Sequence, residues 1–139
     1  MIPRVENQRR SLIALVADDD DDMRSLVAES LRADGYHVVE ARDGAELVEH
    51  LRTAIDDPTL RPDVVVTDVL MPKLSGLGVL GALRRATWNV PVIVITAMAD
   101  DSVRAVARRL GAVAVLKKPF DVDDLRTAVL NASVATLRS

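Results

Sequence analysis

The chain has 139 residues, a net charge of −3 and no cysteine, with 49% hydrophobic and 28% charged residues. That suits one globular domain with a core of its own, and it excludes a disulfide framework, a thiolate metal site and a cysteine nucleophile. Aromatic residues make up only 2%, so the core must be aliphatic, and the stacking platforms and overall basic charge that nucleic-acid binders use are both missing.

Met1 to Arg10 reads as a flexible tail ahead of a domain over residues 11–136. The tail is basic, but no apolar stretch follows that would make a signal peptide or a membrane span, so the expected location is the cytoplasm. Leu12 to Ala17 reads as a buried strand. Asp22 to Ala33 carries Met23, Leu26, Val27 and Leu31 at helical spacing. Gly35 ends that helix and leads into a shorter strand, Tyr36 to Ala41. Asp43 caps the next helix, with Glu46 at capping-box spacing and Leu47, Val48, Leu51 and Ile55 turned inward. Asp56 to Pro62 is a loop by its prolines and has no functional reading.

Asp63 to Thr67 is a third strand, ending at Asp68. After a loop with Pro72, Ser75 caps a helix holding Leu77, Leu80 and Leu83. Val92 to Thr96 is the fourth strand, and a helix after Asp100 turns Val103, Val106, Ala107 and Leu110 inward. Ala112 to Lys117 is the fifth strand, and Asp121 caps a last helix burying Val122, Leu125, Ala128 and Val129. Four of the strands are near-continuous aliphatic runs, as parallel strands covered on both faces are. The pattern is (βα)5, an α/β doubly wound parallel sheet.

Ligands in such sheets sit at the carboxyl ends of the strands. Those ends carry Asp18, Asp19 and Asp20, then Asp68, Thr96, and finally Lys117 and Lys118 before Pro119. Several carboxylates converging on one crevice repel one another unless a cation is bound, and oxygen-only donors favour Mg2+ or another hard ion. A hydroxyl and an ammonium facing the same spot suit phosphoryl oxygens. A carboxylate in that setting can act as the nucleophile on a phosphoryl group.

The segments ADDDDDMR (Ala17 to Arg24), TDVLMPKLSG (Thr67 to Gly76), VIVITA (Val92 to Ala97) and LKKPF (Leu116 to Phe120) resemble, in order and spacing, the four signature segments of response-regulator receiver domains in bacterial two-component systems. The resemblance covers Leu12 to Ala132. It implies a flavodoxin-like sheet in the order 2-1-3-4-5, with Asp68 as phosphoryl acceptor and Asp18 and Asp19 as the acidic pair that holds Mg2+. Asp68 and the backbone carbonyl of Leu70 would complete the metal site. Thr96 would hydrogen-bond the attached phosphoryl group, and Lys118 would neutralise one of its oxygens. A cis Lys118–Pro119 bond is implied as well, with Lys117 pointing the other way.

The family role is a switch rather than an enzyme, supporting only its own phosphotransfer and autodephosphorylation. Implied partners are a sensor histidine kinase or histidine phosphotransfer protein, and an output protein or domain. The output would dock on the face formed by the helix after Asp100, the fifth strand and the last helix. The resemblance allows a phosphorylation-dependent homodimer and brings no direct nucleic-acid or membrane contact. The chain is expected to be a stand-alone receiver or the receiver piece of a larger regulator.

Two departures stand out. Val115 takes the position where many receivers hold a Tyr or Phe that couples to the residue matching Thr96. Leu70 and Met98 flank the phosphoryl position as two apolar side chains, which should exclude hydrolytic water and slow self-dephosphorylation. Arg104, Arg108 and Arg109 are expected to make the exposed side of their helix basic, and His37 and His50 to be surface residues.

Other readings compete. Asp18 and Asp20 form the D-x-D of a haloacid-dehalogenase-type phosphatase, although Asp68 would then have no role. A pseudo-receiver that binds without phosphorylation is opposed by the intact acceptor, acid pair, Thr and Lys. Asp18, Asp20, Asp22 and Glu29 also fit the acids of an EF-hand loop, but its glycine position holds Met23 and a strand precedes. Gly76, Gly78 and Gly81 spell a dinucleotide fingerprint that a loop separates from the strand before it.

Overall fold

The aliphatic runs become strands because both of their faces can be covered, and the amphipathic stretches between them become the helices that cover them. The computed structural model describes residues 12–69, 78, 81, 89–109 and 111–138, the last four by backbone alone. In chain order come β1 (Ile13–Ala17), α1 (Asp21–Ala33), β2 (His37–Ala41), α2 (Gly44–Asp56), a 3-10 turn (Pro58–Leu60) and β3 (Val64–Asp68). Then follow β4 (Val92–Thr96), α3 (Asp101–Arg109), β5 (Ala114–Lys117) and α4 (Val122–Arg138). The five strands form one parallel sheet in the order β2-β1-β3-β4-β5, as the family resemblance implied.

Alternate residues of each strand feed two cores. Ala14, Val16, Val64, Val66, Ile93 and Ile95 face α1 and α4, where Val27, Leu31, Leu125 and Val129 meet them. Leu15, Ala17, Val65, Val92 and Val94 face α2 and α3, meeting Leu47, Leu51 and Ala107. Asp43 caps α2 by accepting the Glu46 N–H at 2.9 Å, and Glu46 accepts the Arg42 N–H at 2.8 Å in return. The reciprocal bond therefore falls one residue outside the usual capping box. Gly35 (φ 97°) and Gly111 (φ 94°) end α1 and α3 in the left-handed region that a side chain disfavours.

Three expected core residues are exposed, and Val122, expected to be buried on α4, is only half-buried and joins neither core. Leu26 lies one position off the buried stripe Arg24–Val27–Ala28–Leu31 of α1 and is exposed. Ile55 is exposed because Leu47, Leu51 and Ala54 form the inner stripe of α2. Val106 yields to Ala107 on α3 and is also exposed. Leu110, Leu77, Leu80, Leu83, the cap at Ser75 and the tail Met1 to Arg10 lie outside the described residues. Gly78 and Gly81 are helical, unlike glycines of a phosphate-cradling turn. The stretch expected as a loop from Asp56 begins as the end of α2 and continues into the 3-10 turn. Leu60 and Pro62 then wall a cavity of about 280 Å3, shared with Leu15, Val39, His37 and His50. His37 is exposed as expected, whereas His50 is half-buried.

Candidate functional site

The parallel sheet delivers the last residues of β1, β3, β4 and β5 to one edge. The Asp18 N–H donates to the Ala41 carbonyl at 3.1 Å, and its Oδ1 accepts the Asp20 N–H at 3.0 Å. Its carboxylate is fully buried. Asp68 closes β3 and is buried, while Asp19 is exposed. Carboxylate oxygens of Asp18, Asp19 and Asp68 all lie within 4.8 Å of one another. Asp20 turns away: its Oδ1 accepts the Asp22 and Met23 N–H groups at 3.0 and 3.1 Å and caps α1. Asp21 and Asp22 sit in the exposed first turn of α1, where the helix dipole favours them. The acidic run is thereby divided between a crevice and a helix start. Both the D-x-D and the EF-hand readings lose Asp20 as a ligand.

Lys118 enters from beyond β5. Its Nζ donates to Asp18 Oδ2 at 2.9 Å and to Asp68 Oδ2 at 2.8 Å. Burial works against its charged form, but the hydrogen bonds and charges of Asp68 and Asp18 outweigh that and hold its pKa above the ordinary lysine value. The Lys118–Pro119 peptide is cis, the Lys118 N–H donates to the Thr96 carbonyl at 2.8 Å, and Lys117 points to solvent. Thr96 is fully buried at the end of β4, and its hydroxyl oxygen accepts the Met98 N–H at 3.0 Å. Met98 is exposed. Leu70 lies outside the described residues.

The donor set suits a hard divalent cation. It is all oxygen, comes from three strand or loop positions, and leaves the Asp19 side open to solvent. It offers no imidazole or thiolate that would select zinc.

Two arginines behave differently from the sequence expectation. Arg24 had no assigned role, yet it is buried and its Nη1 donates to the Asp18 carbonyl at 2.9 Å. Its signal was positional: it occupies the inward stripe of α1, where apolar residues belong. Arg104 was grouped with the exposed basic face, but only Arg108 and Arg109 are exposed there. Arg104 reaches across instead, donating to the Ala99 carbonyl at 3.1 Å and the Val115 carbonyl at 3.2 Å. A half-buried guanidinium has a use for orphan carbonyls that the solvent-facing reading overlooked.

Residues 14–130 match the family model for the response regulator receiver domain. The response regulator MprA of Mycobacterium ulcerans (strain Agy99) is 38% identical over 115 residues, 83% of this chain and 47% of that protein. Hybrid signal transduction histidine kinase D of Dictyostelium discoideum is 34% identical over 91% of this chain and 8% of that protein. The chain spans less than half the length of either curated relative. Among solved structures, a response regulator receiver domain protein from Clostridium thermocellum superposes with a TM-score of 0.77 at 32% identity, covering 89% of this chain and 95% of that one. The receiver domain of the Francisella response regulator 1452 gives 0.77 at 28% identity, covering 92% and 98%.

Proposed function

The chain belongs to the response-regulator receiver family of two-component signalling, and from that premise we propose that it is a phosphorylation switch whose acceptor is Asp68. The observation that carries the reading is the crevice itself: a buried strand-end carboxylate flanked by two further carboxylates and bridged to one of them by an ammonium. The donor is a phosphohistidine on a sensor kinase or histidine phosphotransfer protein. An Asp68 carboxylate oxygen attacks phosphorus, the O–P bond forms, the N–P bond breaks, and the imidazole nitrogen keeps the electron pair and takes a proton.

Asp18, Asp19 and Asp68, with the Leu70 carbonyl by family resemblance, would hold Mg2+, which neutralises phosphoryl charge and favours in-line geometry when bound. Lys118 already touches the acceptor oxygen, so it needs only a short shift to pair with a phosphoryl oxygen. Thr96 stands at the end of the neighbouring strand with its hydroxyl oxygen held by the Met98 N–H, and its proton is the donor for a second phosphoryl oxygen. A near-complete switch needs about 5.5 kcal/mol of preference between two states, and these two new contacts are its source. The output surface is the α3–β5–α4 face, where Val106, Val113, Arg108 and Arg109 are exposed. A cytoplasmic place of action goes with this family reading; no helix among the described residues is long and apolar enough to cross a membrane.

The test is intact mass after incubation with Mg2+ and acetyl phosphate, for the parent and Asp68→Asn. One added phosphoryl group on the parent and none on the variant is expected. An unmodified parent that still binds Mg2+ would leave a pseudo-receiver, and a modified variant would move the acceptor to another aspartate.

A further inference from the structure

We propose that Arg24 is the positioning residue of the cation site: its guanidinium sets the plane of the Asp18–Asp19 peptide and, through it, the direction of the Asp19 carboxylate. The inference rests on reading the acidic crevice as a Mg2+ site. Two of the three carboxylates there have other anchors. Asp18 is held by the Asp20 N–H and Lys118, and Asp68 by Lys118. The Asp19 side chain is exposed and has no hydrogen-bond partner among the described residues. No side-chain contact orients it, so the point and angle from which it reaches the site are set by the backbone.

That backbone is gripped at two points. The Asp18 N–H is tied to Ala41 on β2, and the Asp18 carbonyl accepts Arg24 Nη1 at 2.9 Å in a buried bond. The peptide group is planar, so fixing that carbonyl fixes the Asp19 N–H and the path to its Cα. Arg24 is itself locked, because its other two nitrogens are spoken for. Nε donates to Glu40 Oε1 at 3.2 Å on β2, and Nη2 donates to Asp21 Oδ1 at 2.7 Å at the start of α1. Burial opposes the charged guanidinium, yet these acids outweigh it and keep its pKa above the ordinary arginine value. A planar fork can reach all three partners at once, which a lysine ammonium on its flexible stem cannot do.

Charge and geometry predict opposite signs. A fixed positive charge beside the crevice repels a divalent cation, so deleting charge alone would tighten Mg2+ binding. Deleting a residue that orients a ligand weakens it, by about 10-fold or more for groups just behind a metal's ligands. The experiment is calorimetric titration of metal-free protein with Mg2+ alone, for the parent, Arg24→Lys and Arg24→Met, with thermal melting in EDTA alongside. Both variants are expected to lose about 10-fold in affinity, the lysine variant despite keeping its charge.

An unchanged or tighter Kd in folded Arg24→Met, whatever its melting temperature, overturns the proposal and leaves Arg24 a structural residue. A parent that binds no Mg2+ instead overturns the metal reading of the crevice, and this inference with it. If the Arg24 variants do not fold, Glu40→Gln takes their place, since its side chain pairs with Arg24 and Arg32. It should weaken Mg2+ binding in the same direction and by less, and an unchanged Kd there defeats the proposal.

Discussion

At the carboxyl ends of β1, β3 and β5, Asp18, Asp68 and Lys118 crowd into a crevice where each charge is tolerable only because of the others. At the amino ends of β1 and β2, Ile13, Leu15 and Val39 line an apolar cavity with Leu60 and Pro62, and the sheet is closed by a reciprocal pair. There the Asp63 N–H donates to the Ile13 carbonyl and the Ile13 N–H donates to Asp63 Oδ2, both at 2.7 Å. One end uses side chains for chemistry and depends on a counter-charge. The other uses them chiefly for packing, with the Asp63 carboxylate serving a backbone N–H. Buried charges are costly unless paired, whereas aliphatic burial stabilises in proportion to area, so losses at the first end should depend on Mg2+ and losses at the second should not.

The largest effect is expected from Lys118→Met in metal-free buffer. It leaves the Asp18 and Asp68 carboxylates facing each other without their ammonium, a change that costs up to about 3–5 kcal/mol for a buried pair. Mg2+ should restore much of the loss, which denaturant unfolding with and without Mg2+ would read; equal loss in both would mean the ammonium and the cation do not share a site. The sign of the pH dependence follows from the raised pKa of Lys118. Its contribution is complete below about pH 10 and fades as pH rises through that raised value.

At the opposite end, Leu15→Ala should cost about 2–5 kcal/mol, since Leu15 is buried against α2 and its loss would enlarge the cavity it already borders. Mg2+ affinity of the folded fraction should stay at the parent's value. A variant that lost metal binding as well would break the separation between the two ends.

The smallest effect concerns neither end. Arg126 on α4 pairs with Asp34 after α1 at 2.6 and 2.8 Å, and that hydrogen bonding holds the Asp34 carboxyl below its usual range. The pair therefore contributes above the ordinary aspartate pKa and is lost as pH falls through the lowered one. Exposed ion pairs are screened by solvent and contribute little. Arg126→Ala should lower the melting temperature slightly at pH 7, and the gap to the parent should close in acid; a gap that persists in acid would assign the effect to packing.

Much of this was readable along the chain. Aliphatic runs such as Val64–Val66 and Val92–Ile95 declare parallel strands because nothing else buries both faces. The strand ends Asp18, Asp68 and Lys118 then follow from the rule that such sheets work at their carboxyl edge. Leu26, Ile55 and Val106 were misplaced because a helical stripe is about 100° wide, and one residue of phase moves a side chain from core to solvent. Arg104 was unreadable as a partner, since its acceptors are backbone carbonyls that carry no mark in the sequence, and so was the bond from Arg24 to the Asp18 carbonyl.

The sequence by itself determined the order of strands and helices, the aliphatic two-faced core and the acids and lysine available to the site, because each follows from local periodicity and side-chain chemistry. Only the tertiary structure decided how the run Asp18 to Asp22 is shared out. Asp18 and Asp19 meet Asp68 from a strand fifty residues on, Asp20 is spent on capping α1, and Arg24 returns to hold the peptide between the first two. Five like residues in a row have the same chemistry; their different surroundings, set by contacts between distant segments, give them different tasks.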